Sequence, residues 1–167
     1  MSKKILLGMA ALMLAALACS TLSARANRVV GSGNVVSEPR DVTNFDSVEL
    51  AGSGDVNILL GDSESVNVQA DDNILPLIET TVTNGKLVIR TKPFATITPS
   101  NRIVVTVAMK SLKQAMLSGS GNLHIAAMSG PDLTLELPGS GDITAEGTVD
   151  HVNINLLGSG NINADQL

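Results

Sequence analysis

The chain has 167 residues, with 11 Lys and Arg against 16 Asp and Glu, for a net charge of −5. That balance disfavours nucleic acid, whose binding rests on cations neutralising phosphates, and disfavours docking of the whole surface on anionic lipid heads. Trp and Tyr are absent, Phe occurs twice and Cys once, so no internal disulfide forms and an aromatic sugar-stacking cleft is disfavoured.

From the N-terminus, Met1-Ser-Lys-Lys precedes a 14-residue apolar run, Ile5 to Ala18. This is short for a membrane span and right for the core of a secretory signal. Two processing points compete. Leu17-Ala18-Cys19 resembles a bacterial lipobox, with Ala16 where leucine is usual, and would make Cys19 the lipidated first residue. Ala24-Arg25-Ala26 is an A-x-A site that would leave Asn27 first. The expected layout is a signal peptide over 1–18 (alternatively 1–26), a short tether over 19–28 and one domain over 29–167. With no second apolar segment, the body is expected to meet a membrane through a lipid anchor alone.

Five near-copies of one motif follow: Gly31-Ser-Gly-Asn-Val35, Gly52-Ser-Gly-Asp-Val56, Gly119-Ser-Gly-Asn-Leu123, Gly139-Ser-Gly-Asp-Ile143 and Gly158-Ser-Gly-Asn-Ile162. Their starts lie 21, 67, 20 and 19 positions apart, a period near 20 with the long interval close to three or four periods. Such a period predicts a solenoid. Around the motifs apolar residues alternate: Val48 and Leu50, Leu135 and Leu137, Ile154 and Leu156 before, and Val56 and Ile58, Leu123 and Ile125, Ile143 and Ala145 after. Period-two alternation means strands with one buried face, so each unit reads strand, glycine turn, strand. About seven coils of a β-helix are expected.

The turn residues are expected to form ladders. Gly31, Gly52, Gly119, Gly139 and Gly158 make one column, and Gly33, Gly54, Gly121, Gly141 and Gly160 a second. Asn34, Asp55, Asn122, Asp142 and Asn161 make a third, in which amides separate the carboxylates and avoid like charges at strand spacing. The glycines are expected to supply positive φ values. A structural turn is the reading preferred over ligand coordination by this column.

Between the repeats, Phe45 is expected to plug the N-terminal end of the core. Asp71 and Asp72 read as turn residues after the strand Ser65 to Gln69, and Asp72 to Thr80, with Pro76, as an irregular excursion or one helical turn. Lys92 to Asn101, with two prolines and Phe94, reads as a loop leaving the solenoid. After Lys113 no Lys or Arg occurs, while Asp132, Glu136, Asp142, Glu146, Asp150 and Asp165 do.

Catalytic patterns are thin. No Gly-Ser-Gly copy continues to the third glycine of a nucleotide loop, and no helix follows. Calcium coordination is a minor alternative, weakened by Asn in three of the five copies. His124 and His151 lack a third zinc ligand and are expected to be exposed. An enzyme acting on polysaccharide would need Asp71 and Asp72 beside Lys86 or Arg90. No cofactor, metal or catalytic set is assigned.

The run Glu38-Pro-Arg-Asp-Val-Thr-Asn-Phe-Asp-Ser-Val-Glu-Leu-Ala-Gly-Ser-Gly-Asp-Val56 resembles the opening of the bacterial head GIN domain, an adhesin-head family. Ala70-Asp-Asp-Asn-Ile-Leu-Pro-Leu-Ile-Glu79 and Asn84-Gly-Lys-Leu-Val-Ile89 are similar to its middle. The resemblance implies a right-handed parallel β-helix on exported, often lipid-anchored, envelope proteins, and carries no defined ligand residues. Members usually continue for further coils, so this chain is expected to be a truncated copy, with an open last coil available for self-association. The expected function is a non-enzymatic envelope module for binding or scaffolding, with an envelope protein or glycan as partner. A polysaccharide-acting enzyme and a purely structural assembly element are the alternatives.

Overall fold

A computed structural model describes residues 27–167. The expected signal peptide, its two alternative processing points and Cys19 lie outside the described residues. The strands are β1 (Asn27–Val30), β2 (Val35–Arg40), β3 (Ser47–Leu50), β4 (Asp55–Leu60), β5 (Ser65–Asp71), β6 (Ile78–Thr83), β7 (Lys86–Thr91), β8 (Ala95–Thr98), β9 (Val104–Met109), β10 (Gln114–Leu117), β11 (Asn122–Leu137), β12 (Asp142–Leu156) and β13 (Asn161–Gln166). One 3₁₀ turn, Leu75–Leu77, interrupts them.

β1 and β8 form a parallel ribbon. The other strands form one eleven-stranded sheet in the order β2-β5-β9-β4-β11-β10-β3-β7-β6, with β12 on β11 and β13 on β12. The path turns through β11, whose first half pairs with β4 and whose second half pairs with β10. That bend occurs where the β11–β12 register shifts between Ile125 and Met128, with Ala127 at φ 56. Opposite it on β12 stands Gly147 at φ 145, a backbone that side chains resist. The two arms of the sheet thereby face each other across one core.

The expected parallel β-helix is overturned. β2 with β5, β5 with β9 and β6 with β7 all pair antiparallel, so the fold is a mixed, nearly closed, barrel-like sheet. The 67-residue interval holds no run of extra coils, and the seven-coil count falls with it. It is spent on β5 to β9: β5 pairs antiparallel with β9, β6 and β7 form a hairpin, and β8 leaves the sheet to pair with β1. Alternation cannot distinguish the two: a strand buried on one face reads the same whichever way its neighbour runs.

The alternating residues line up across parallel neighbours. Leu87, Val48, Ala115, Leu135 and Ile154 form one row, and Ile89, Leu50, Leu117, Leu137 and Leu156 the next. On the other arm Val105, Val56, Leu123, Ile143 and Ile162 are in register. Leu117, Leu133, Leu135 and Leu137 expose none of their surface. Burial of such a side chain stabilises by about 1.5–3 kcal/mol, which explains why aliphatic residues recur at each row. Phe45, 4% exposed, belongs to the same core.

Candidate functional site

Four of the five motifs stack. Ser120 N donates to Gly52 O at 3.1 Å, Ser140 N to Gly119 O at 3.0 Å and Ser159 N to Gly139 O at 3.1 Å, so the ladder runs unbroken through the turns. The reason for glycine differs from the expected one. Of the motif glycines only Gly33 and Gly54 have positive φ. At Gly119, Gly121, Gly139, Gly141, Gly158 and Gly160 a Cβ would overlap the carbonyl oxygen of the glycine one layer below. These positions need a missing side chain rather than a special dihedral angle. Gly52, at the start of the stack, has room: its nearest neighbour would be Arg90 Cα at 3.7 Å.

The polar column beside them is a continuous hydrogen-bonded chain. Arg102 Nη1 donates to Asp55 Oδ2 at 2.6 Å, and Asn122 Nδ2 donates to Asp55 Oδ1 at 2.8 Å. Asp142 N donates to Asn122 Oδ1 at 3.3 Å, and Asn161 Nδ2 and N both donate to Asp142 Oδ1, at 2.9 and 3.0 Å. Each carboxylate thus meets amide donors, as expected for a column in which amides separate the carboxylates. Beside this column opens a cleft of about 420 Å³ lined by Ser53, Asp55, Asn101, Arg102, Ser120 and Asn122 among others. Hydroxyls, amides and one ion pair line it together with Pro99, Ile103 and the turn glycines Gly54 and Gly121.

The first motif stands apart. Gly31 N donates to Thr98 O at 2.9 Å, and Ser100 Oγ to Gly31 O at 2.7 Å, which seats this turn on the 99–101 segment. Asp71 pins the two together. Its side chain is fully buried, and it accepts from Asn101 Nδ2 at 2.7 Å, Ser100 N at 2.8 Å, and Gly33 N and Asn101 N at 3.2 Å each. The Asn101 side-chain bond, then the backbone N–H groups, hold this carboxyl below the ordinary aspartate value of 3.8 against the opposing effect of burial. Asp72 accepts from Ser32 Oγ at 2.5 Å and Asn34 Nδ2 at 3.0 Å, and its carboxyl is lowered by those same two bonds, Ser32 first. The acidic pair therefore orders a turn. Sequence spacing gave no sign of it, because the partners lie 29 to 40 residues away.

Residues 44–167 match the family described as "putative auto-transporter adhesin, head GIN domain". The chain belongs to the head GIN domain family. No curated protein matches it by sequence. Among solved structures it is similar to putative adhesins from Parabacteroides merdae (TM-score 0.73, 20% identity, 81% of this chain and 57% of that one) and Bacteroides fragilis (0.75, 18%, 80% and 63%). A putative adhesin from Parabacteroides distasonis gives 0.75, 24%, 81% and 58%. At these identities the likeness shows the fold. This chain spans roughly three fifths of their length, from 57% to 63%.

The remaining candidate residues of this head GIN domain are dispersed. Lys86 Nζ lies 3.6 Å from Glu49, and Arg90 pairs with Glu79 at 2.7 Å, so neither joins Asp71 or Asp72. His124 is exposed on β11 in register with Asn57 and Thr144, and His151 stands on β12 opposite Asp132, 3.6 Å away. No group of three or more His, Cys, Asp or Glu that could hold a metal occurs among the described residues. The 92–101 loop is corrected in part: Ala95–Thr98 is a strand paired with β1, because the polar-apolar alternation of Thr96, Ile97 and Thr98 was masked by the flanking prolines.

Proposed function

We propose that this head GIN domain is a non-enzymatic, exported envelope module that binds a polar ligand, glycan or protein, in the cleft beside the stacked turns. The observation that carries it is the Asp55–Arg102 pair, with Ser53, Asp55, Ser120 and Asn122 on the stacked turns and Asn101 and Arg102 on the 99–103 connection beside them. Hydrogen-bonding groups held on fixed backbone lose little freedom when they meet a ligand. Arg102 is 72% exposed, and an exposed ion pair stabilises by only about 0–1 kcal/mol, so its guanidinium is available for binding rather than needed for folding. The enzyme alternative has lost its constellation, since its acids order a turn and its cations pair elsewhere. In glycan-array and envelope pull-down assays, Arg102→Ala is expected to weaken retention roughly tenfold with unchanged thermal stability. Equal retention by the variant would remove the cleft from the reading.

An assembly role has its own support. β13 pairs with β12 only as far as Glu146, leaving the outer edge of residues 149–156 without a strand neighbour among the described residues. Val152, Ile154, Leu156 and Leu157 are 37, 48, 50 and 76% exposed there. The stretch carries no charge or proline from Val152 to Leu157, and such an edge pairs readily with another strand. Light scattering is expected to show concentration-dependent growth in mass that Ile154→Lys abolishes. A constant monomer mass for the native chain would exclude self-association through this edge.

A further inference from the structure

Phe94 is one of two aromatic residues in the chain and is 95% exposed. It sits third in a tight turn, Lys92-Pro-Phe-Ala95, closed by Ala95 N donating to Lys92 O at 3.2 Å. Its φ is 66, the left-handed value that this turn position ordinarily assigns to glycine or asparagine. A bulky side chain in that conformation is strained, and here no packing compensates. The core therefore gives no reason for an aromatic ring at this tip.

Its surroundings point to a lipid surface. β1 pairs with β8 in the register Asn27 to Ala95, so the chain preceding the described residues joins the fold one position from Phe94. That preceding chain holds the apolar run Ile5 to Ala18 and Cys19, only eight residues before Asn27. Eight extended residues reach no more than about 29 Å, which keeps the tip near whatever surface holds Cys19. Lys92 opens the turn beside Phe94, is exposed and is in no ion pair among the described residues, whereas Arg28, in register with Thr96, donates from Nε to Thr98 Oγ1 at 3.0 Å, away from the tip. The excess acids of the chain lie elsewhere, on β11 to β13, which are separated from β7 in the sheet by β3 and β10. An aromatic wedge beside a free ammonium suits the headgroup boundary of a bilayer, where the ring enters the acyl edge and the ammonium meets phosphate.

We propose that the Lys92–Ala95 turn is a membrane-contact tip, with Phe94 inserted in the bilayer interface and Lys92 on the headgroups. This rests on the reading that the chain is exported and held at a membrane. Because the chain has no Trp, Phe94→Trp creates a sole indole reporter. The full chain, expressed in a lipoprotein-processing host and reconstituted in phosphatidylethanolamine–phosphatidylglycerol vesicles, is expected to show blue-shifted emission. Brominated acyl chains should quench it, and aqueous acrylamide should quench it less than in the free protein. Indole emission that stays at the water-exposed value on vesicle-bound protein overturns the proposal. Intact mass reports the anchor separately. An adduct on Cys19 with a water-exposed indole sinks the tip alone, whereas a blue-shifted indole on a chain without the adduct sinks the anchor alone. A second variant, Phe94→Gly, is expected to raise Tm by releasing the backbone and to lose the ordered contact, read as loss of protection of Lys92 from amine labelling on vesicles. A fall in its Tm would mean that Phe94 serves the fold, against the proposal.

Discussion

Gly141→Ala is expected to cripple the fold although it adds a single methyl group. Gly141 is buried, and a Cβ there would overlap Gly121 O, with Gly121 C at 2.7 Å and Leu117 Cδ2 at 2.9 Å. Most of what it meets is backbone, so no rotamer change relieves the clash. The layer below cannot retreat, because Gly121 itself rests on Gly54 O and its neighbour Asn122 N is bonded to Gly54 O at 2.9 Å. Separating the layers would break the turn hydrogen bonds on both sides. Overpacking of this kind costs about 3 kcal/mol or more, equivalent to a fall in Tm of about 10 °C for a chain of this size. Gly52→Ala is the control: with its nearest atom at 3.7 Å, the same methyl makes ordinary contact. Calorimetry of the two variants should separate them widely. Equal melting temperatures would mean that the stacked turns yield, and that glycine is there for another reason.

Asp71→Asn is expected to be nearly as damaging, from one exchanged atom. Each carboxylate oxygen accepts two donors, Asn101 Nδ2 and Gly33 N on one, Ser100 N and Asn101 N on the other. An amide NH₂ at either place sets donors against donors in a buried site, where unsatisfied groups are costly. A loss of roughly ten degrees in Tm is expected, with the 31–34 turn and the 99–101 segment exchanging amide protons first. The pH dependence has a definite sign. The folded carboxyl lies below its ordinary 3.8, so the unfolded chain binds more protons as pH falls through that value. The stabilisation is complete above pH 3.8 and is lost as pH drops towards the folded value. Asp72 and Asp46 are lowered as well, the latter chiefly by the Lys113 bond, and add to the same slope. Urea unfolding at stepped pH should show this acid slope in the native chain and a shallower one in Asp71→Asn. Equal slopes would mean that Asp71 is not the group being titrated.

The strand rows and the turn motifs could be read in the sequence because they repeat locally. Leu50, Leu117, Leu137 and Leu156 announce their common row by their distance from a Gly-Ser-Gly. The direction of pairing between residues 61 and 111 could not be read the same way, since no motif marks that stretch. One signal there was usable: Asn84-Gly85 between alternating runs, with φ of 52 and 77, is the turn of the β6–β7 hairpin. It contradicts an all-parallel solenoid by itself. Asp71 was beyond reach for a different reason. Nothing in Ala70-Asp-Asp-Asn73 tells which of two adjacent aspartates points inward, or that its donors come from two distant turns. The cleft inherits that difficulty, because Arg102 meets Asp55 across 47 residues.

The close approach of turn glycines also governs how such a chain can change over generations. Each layer presents to the next the same bare backbone and the same aliphatic rows. A tandem duplication of one unit, 19 or 20 residues beginning at a Gly-Ser-Gly, therefore inserts a layer that fits both neighbours. A one-residue change inside a unit instead needs a local irregularity to absorb it, as between Ile125 and Met128, where the offset between β11 and β12 drops from 20 to 19 and the rows beyond stay in phase. Length is thus a trait this architecture alters most simply in whole layers, while a smaller change has to fall at a bend that can take it up.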